Sequence, residues 1–287
     1  MKFRAVVSED ALVKGFLQVV STLSKADKQL IINVQPTKMI LQIEPAACEG
    51  QYVWCEMVQG RFFSEFAMDG IDATHNQIYM VAQASSFVRA LSFARHSTVR
   101  YLKVKLIKTA ATPCLSFEMA GDIDSNQDVI YPKVEHSLPV TIMPRSEWQQ
   151  FQLPHTLKYD ISIELPTIKS LRALLEKKKN LAPTIALYAT MNGELSLVVE
   201  TDVVTVASHY RDLELSPRCA RVRQESTKMS EANCRVDSRK LAALFETIYI
   251  SGAVMTASIR HEQALIISFD MMQACVLNFI LPAMNFD

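Results

Sequence analysis

The chain has 287 residues, with 30 basic against 30 acidic side chains and a formal net charge of zero. That length holds about two domains, and a zero balance excludes a uniformly basic nucleic-acid binder, since phosphate contact is driven by basic charge. Only 7 glycines are present, with no G-x-G-x-x-G and no G-x-x-x-x-G-K-S/T, which argues against a phosphate-cradling loop.

Phe3–Val7 is short and apolar and reads as a strand. Asp10 is placed to cap a helix from Ala11 to Lys25, because its carboxylate can accept from the free N–H groups of the first turn. Leu12, Phe16, Val19 and Leu23 form the inner stripe of that helix, and Lys14, Gln18, Ser21 and Lys25 the outer one. Short apolar runs follow at Leu30–Val34, Met39–Ile43, Tyr52–Met57, Phe62–Met68 and Ile78–Val81, bounded by turn formers such as Pro36-Thr37 and Asp69-Gly70. A second helix is expected from Ser85 to Arg95, burying Phe87, Val88 and Leu91 and showing Arg89 and Arg95. Strands resume at Tyr101–Ile107 and Cys114–Met119, a hairpin loop at Gly121–Asp128, and an extended edge segment at Val129–Met143.

Pro144 to Tyr159 has no period and carries Pro144, Trp148, Phe151, Leu153 and Pro154, so it reads as a connector. Beyond it come a strand at Ile161–Leu165 and a helix at Thr167–Leu181. That helix turns Ile168, Leu171, Leu174, Leu175 and Leu181 inward and Lys169, Arg172, Glu176 and Lys179 outward. Thr184–Thr190 and Glu194–Thr201 pair through Asn192-Gly193. Val203–Ala207, a loose loop at Ser216–Ala232, a helix after Asp237 showing Arg239 and Lys240, and strands at Val254–Ile259, Ala264–Asp270 and Val276–Leu281 complete the chain.

The halves share a register. At an offset of 155 residues, Val13, Phe16 and Val20 fall on Ile168, Leu171 and Leu175, and Lys14 falls on Lys169. Leu30–Val34 falls on Ile185–Ala189, and Leu115–Met119 later meets Ile267–Met271. A period this long exceeds the roughly 20–50 residues of solenoid repeats and reads as one domain used twice. The division expected is 1–143, a connector at 144–159, and 160–287. Each copy holds two amphipathic helices among eight or nine short strands joined by tight turns. The expected class is therefore α+β with mainly antiparallel sheets.

All four helices carry basic residues outward: Lys14 and Lys25; Arg89 and Arg95; Lys169, Arg172 and Lys179; Arg239 and Lys240. For a single helix this is an ordinary solvated face. Lys14 and Lys169 are repeat-equivalent, and if the duplication puts all four helices on one side they make one basic surface, whose natural partner is backbone phosphate met without sequence preference. Catalytic constellations are missing. No two of the six histidines pair at metal-ligand spacing. Six scattered cysteines without C-x-x-C fit a reduced intracellular compartment. Cys55 reads as a buried structural thiol, and Lys177-Lys178-Lys179 as a solvated helix face. The N-terminal residues lack the apolar core of a signal peptide, and no apolar run approaches the roughly 18 residues of a membrane span.

Phe3-Arg4-Ala5-Val6-Val7 before a helix with Lys14, and Leu277-Asn278-Phe279-Ile280-Leu281-Pro282 at the end, resemble the DNA sliding clamps, of which proliferating cell nuclear antigen is the familiar member. Trp54-Cys55-Glu56, the run Phe62–Gly70, Ile142-Met143-Pro144-Arg145 with Trp148, His209-Tyr210-Arg211-Asp212-Leu213 and Asp237-Ser238-Arg239-Lys240-Leu241 are similar to one branch, the Hus-one subunits of the checkpoint clamp. The resemblance runs in order over nearly the whole chain, Ser216–Ala232 excepted. It implies a sliding-clamp fold in a nuclear, non-catalytic platform without cofactor or metal. Two other clamp-like subunits would close a ring with it around double-stranded DNA. A checkpoint clamp loader would place the ring, which would then recruit repair enzymes and an activator of the checkpoint kinase. The nine basic residues above would face DNA. Edges at Val129–Val140 and Asp202–Tyr210 would meet the neighbours, through Val129, Tyr131, Val134, Val204, Val206, His209 and Tyr210. Trp148, Phe151 and Leu153 on the connector, with Phe279, Leu281 and Pro282 near the end, would wall a client groove; packing as a plain cover over the sheets is the alternative. A self-assembling homotrimeric processivity clamp, and an enzyme on a duplicated α+β fold, are the competing functions.

Overall fold

The computed structural model describes residues 1–44, 52–72, 74–121, 133–153, 159–216, 230–248, 250 and 252–284. Val129, Tyr131, Pro154, the expected loop at 122–128 and positions 217–229 of the second loop lie outside them.

The first copy runs β1 (Lys2–Val7), α1 (Asp10–Ala26), β2 (Gln29–Gln35), β3 (Lys38–Gln42), β4 (Tyr52–Val58), β5 (Glu65–Asp69), β6 (Ile78–Gln83), α2 (Ala84–Ala90), β7 (Val99–Thr109), β8 (Thr112–Gly121) and β9 (Val134–Ile142). The second runs β10 (Ile161–Glu164), α3 (Ile168–Lys178), β11 (Thr184–Thr190), β12 (Leu195–Glu200), β13 (Thr205–Tyr210), β14 (Glu231–Asp237), α4 (Ser238–Thr247), β15 (Val254–Arg260), β16 (Ala264–Met271) and β17 (Cys275–Pro282). The order repeats except for β5, whose place is taken by a single bridge between Ile163 and Leu215. Equivalent bonds mark equivalent points: Met143 N–H donates to Tyr79 O at 2.9 Å, and Met284 N–H to Arg235 O at 2.8 Å.

Two antiparallel sheets result. A 13-stranded sheet runs β10-β15-β16-β17-β4-β3-β2-β6-β9-β8-β7-β1-β5, and a 4-stranded sheet runs β13-β12-β11-β14. The copies meet inside the large sheet, where β17 pairs with β4 from Cys275 opposite Met57 to Ile280 opposite Tyr52. Val58 N–H extends this joint to Ala274 O at 3.1 Å.

Strand alternation gives the large sheet two faces. Leu30, Ile32, Met39, Leu41, Cys55, Leu265, Ile267 and Phe279 belong to the main core with α1, α2, α3 and α4. Their neighbours point the other way, into two small clusters under the connector: Ile40, Trp54, Ala264, Ile266 and Ile280; and Ile31, Tyr79, Met143 and Trp148. The helices therefore share one side and the connector takes the opposite side. Among the turns, Gly193 has φ +82, and a Cβ there would come within 2.4 Å of Leu213 O, so the Asn-Gly hairpin admits only glycine without rearrangement.

Local readings need correction. Asp10 does not cap α1; it is the first helical residue, accepts from Val99 N–H at 2.8 Å and pairs with Lys14 at 2.7 Å. The second helix stops at Ala90 and passes into a 3-10 turn over Ser92–Arg95, where the Ser92 hydroxyl donates to Arg89 O. A hydroxyl drawing on a backbone carbonyl competes with continuation of the helix. Phe87 and Leu91 are buried there, while Val88 is only half-buried. Leu181 falls beyond the end of α3 and is 47% exposed. The C-terminal end of the expected loose loop is the start of β14, in which Ala232, Cys234 and Val236 alternate inward.

Candidate nucleic-acid and assembly surfaces

The outer stripe of α1 forms one wall of a groove. Lys14, Leu17, Gln18, Ser21 and Lys25 face Ala94 and Arg95 across about 460 Å³. Basic residues from two helical segments thus converge on one open channel. Arg89, Lys169 and Arg239 are also exposed, and Lys240 is half-buried.

Of the nine expected phosphate contacts, Lys14, Arg172 and Lys179 engage groups of the protein itself; Lys14 pairs with Asp10. Arg172 Nε donates to Phe245 O at 3.0 Å and its Nη2 to Ile248 O at 2.9 Å. Its guanidinium satisfies carbonyls at the C-terminal end of α4, which have no partner within the helix. Lys179 Nζ lies between Glu176 at 2.7 Å and Glu246 at 2.8 Å, and both carboxylates hold its pKa above the ordinary lysine range. Arg172 and Lys179 thus tie α3 to α4.

The Lys177-Lys178-Lys179 run is not uniformly solvated. Lys178 is 3% exposed, and its Nζ donates to Leu197 O at 3.0 Å and Val206 O at 2.7 Å. Burial holds its pKa below the ordinary range.

Of the open strand edges, two occupy the places in the two copies that correspond to the β17–β4 joint. β13 ends the small sheet, and β9 contacts β6 only from Val140 to Ile142, leaving Val134–Pro139 open on that side. Hydrogen-bond alternation says which groups point out. Thr201 N–H donates to Val204 O, so the pairs in the same register, Val199–Val206 and Leu197–Ser208, exchange bonds within the hairpin. Thr205, Ala207 and His209 therefore direct their N–H groups to the open side. Val206 and Tyr210 direct theirs to β12, and Val204 N–H donates to Thr201 Oγ1 at 3.0 Å. On β9, the bond from Met143 N–H to Tyr79 O sets the parity. Glu135 and Ser137 offer N–H groups outward, Pro139 has none to offer, and Val134 points its backbone toward β8.

The connector lies against the sheet. Trp148 is buried, donates from Nε1 to Met143 O at 3.2 Å and sits 5.0 Å from the Tyr79 ring. Phe151 packs on the same cluster, and Gln42 Nε2 holds Phe151 O at 2.8 Å. Leu153 packs on Ile40, Trp54, Ala264, Ile266 and Ile280. The gap left among Gln42, Ile43, Tyr52, Trp54, Phe151 and Leu153 is only about 10 Å³. Phe279 and Leu281 face the helix side, are 6% and 2% exposed, and cannot wall a groove under the connector. Strand alternation puts Ile280 and the exposed Pro282 on that side instead.

The described cysteines, Cys55, Cys114, Cys234 and Cys275, are free and buried. Burial raises the Cys55 thiol well above its ordinary pKa and pushes Cys234 up to about 12, which keeps both as inert thiols. Among the described residues no three His, Cys, Asp or Glu side chains gather in a way that could hold a metal ion. No helix there is long and apolar enough to cross a membrane.

A repeated domain with its helices on one side and sheets on the other is the sliding-clamp fold. The structure superimposes on proliferating cell nuclear antigen from Thermococcus kodakaraensis with a TM-score of 0.67 over 98% of this chain and 99% of that one, at 15% identity. The antigen from Entamoeba histolytica gives 0.68 over 99% of both, at 16% identity. Within that fold the chain belongs to the Hus1-like protein family, whose model matches residues 1–285. It is 30% identical to checkpoint protein HUS1 of Homo sapiens over 99% of this chain and all of that one. It is 28% identical to checkpoint protein Hus1-like of Drosophila melanogaster over 99% of both.

Proposed function

We propose that this chain is a non-catalytic subunit of a ring-shaped checkpoint clamp. With two other clamp-like subunits it encloses duplex DNA in the nucleus. A checkpoint clamp loader places the ring at damage sites, and the ring recruits repair enzymes and promotes checkpoint kinase signalling. The domains 1–143 and 160–287 are its two ring segments and 144–159 is its outer strap.

The observation that carries this reading is the β17–β4 joint. It pairs the last strand of one copy with the fourth strand of the other. In the corresponding last strand of the first copy, β9, Val134–Pro139 is open on one side, and the outer edge of the second copy's fourth strand, β13, is open too. A chain holding one such joint closed and one half-joint open at each end is built to be extended on both sides. Unpaired edges are a liability in a free monomer, so their retention supports neighbours in the working state. Helices on one side, with Lys14, Lys25 and Arg95 lining a common groove, support a phosphate-facing surface on the inside of such a ring. The mixed charge suits a ring that must slide. The relatives' designation as checkpoint proteins supports the signalling role.

The test is the native mass of the complex captured on this chain from its own cells. Three unlike clamp-like chains in equal amounts support the proposal. A homotrimer of this chain alone would replace it with a self-sufficient processivity clamp.

A further inference from the structure

We infer that Pro139, together with Lys133 and Arg211, bars this chain from closing a ring with copies of itself and fits its β9 edge to a different clamp-like chain. The inference rests on the proposed ring and names residues that choose the neighbour.

The β17–β4 joint supplies the template. Ladder registers fix the equivalences. Met119 stands opposite Val134 as Met271 stands opposite Cys275, so Lys133, just before β9, and Glu135, Ser137 and Pro139 within it correspond to Ala274, Val276, Asn278 and Ile280. Gln42 stands opposite Trp54 as Val198 stands opposite Ala207, so Thr205, Ala207, His209 and Arg211 correspond to Tyr52, Trp54, Glu56 and Val58.

Transferring the template pairs to a head-to-tail contact between two copies gives four outward-facing pairs. Asn278 opposite Trp54 becomes Ser137 opposite Ala207, and Val276 opposite Glu56 becomes Glu135 opposite His209. Both are tolerable, since neither pair sets like charges against each other. The ends are not. Ile280 opposite Tyr52 becomes Pro139 opposite Thr205. Proline has no N–H, so a carbonyl that the closed joint satisfies would be buried without a donor. At the other end the bond from Val58 N–H to Ala274 O becomes Arg211 against Lys133. Each has an acid of its own, Lys133 with Glu118 at 3.2 Å and Arg211 with Glu194 at 3.8 Å, and setting the two cations opposite each other on paired strands is still unfavourable. The second copy's edge thus asks for three donors and a neutral or acidic end residue. The first copy's edge supplies two donors and a lysine. Each edge is open to another clamp-like strand, and the two edges are mismatched to one another at both ends.

Sedimentation equilibrium of the purified full chain tests this, with the wild type beside Pro139→Ile, Arg211→Val and the double variant, each restoring the residue type of the closed joint. The wild type is expected to stay monomeric. The double variant should self-associate, with the dissociation constant falling about tenfold for each position restored. Arg211→Glu, which places an acid against Lys133, should act in the same direction and serves if the proline replacement does not fold. Variants that melt like the wild type yet remain monomers over the same concentrations would overturn the inference alone. A wild-type chain that forms trimers by itself would overturn both the inference and the heteromeric reading beneath it.

Discussion

Lys178 Nζ lies 2.7 Å from the carbonyl oxygen of Val206, so the helix on the proposed DNA side is tied by a buried ammonium to the strand on the proposed subunit edge. At the repeat offset Lys178 falls on Leu23, which is fully buried in the first copy. Apolar packing there gives way in the second copy to a cation holding two carbonyls. Because burial lowers the folded pKa of Lys178, the unfolded chain binds more protons in the window below the ordinary lysine value. Stability from this group therefore rises with pH, from the lowered folded pKa up to the unfolded value of about 10.4. Subtracting the pH profile of Lys178→Leu from that of the wild type in denaturant melts should leave that upward slope. Lys178→Leu should change stability at neutral pH by no more than about 1 kcal/mol, since replacing a buried charge by a hydrophobe of similar size is often neutral. Lys178→Ala should cost about 2–3 kcal/mol through the cavity. A flat difference profile would show that the ammonium is not held as described.

The basic groove separates from the structural arginine by salt dependence. Replacing Lys14, Lys25 and Arg95 with Ala in the assembled complex should flatten the salt slope of DNA binding by about one unit for each phosphate no longer neutralised. Stability should move by only about 0.5 kcal/mol per site. Arg172→Ala should instead lower stability by about 1–3 kcal/mol, because two carbonyls lose a charged donor, and should leave the slope alone. Matched salt titrations and melts decide. An unchanged slope in the triple variant would remove the groove from the DNA surface.

A proline scan reads the polarity of the edge strand. Ala207→Pro removes an outward N–H and should abolish joining to the neighbour while the chain melts nearly as the wild type, since edge strands tolerate proline on the open side. Val206→Pro removes a bond to β12 and should destabilise the chain itself. Melting and assembly measured on both variants would refute the assigned polarity if their effects were exchanged.

In the proposed clamp the connector has an anchored part, at Trp148, and a less buried part that would meet a client, at Phe151 and Leu153. Trp148→Ala should cost about 3–5 kcal/mol, as expected for a buried aromatic. Phe151 and Leu153 are only partly buried, packed at the rims of the two small clusters. Phe151→Ala and Leu153→Ala should weaken client enzymes by about 1–2 kcal/mol with the ring intact. Client titrations and thermal melts on the same variants test it. Client affinity that falls only in step with melting temperature would make the connector a structural cover.

The duplication was legible because it is written in core spacing: Phe16 and Leu171, Val20 and Leu175, all buried. The Asn-Gly turn at Gly193 was legible because its backbone demands it. The facing of Phe279 and Leu281 was hidden, because β17 is apolar on both sides and a strand buried on both faces shows no period of two. Lys178 was readable in principle. It lies three residues after Leu175 and seven after Leu171, on the buried stripe of α3, but its charge and its two lysine neighbours favoured a solvated reading. The role of Arg172 was beyond reach, since the carbonyls it holds come from the end of α4, more than seventy positions later; for Lys179 the local partner Glu176 was readable at i,i+3, and Glu246 of α4 was not. The strand β14 showed its period of two in Ala232, Cys234 and Val236, next to a long polar loop that masked it.

Enclosure of DNA is tested most directly by topology. The complex containing this chain, loaded on a nicked circular duplex by cell extract and washed in high salt, should remain bound, because a closed ring cannot leave a circle. Cutting the circle once with a restriction enzyme should release it, and blocking both new ends with bulky adducts should retain it. Release from the uncut circle in high salt, or retention on the unblocked linear duplex, would contradict a ring that surrounds DNA.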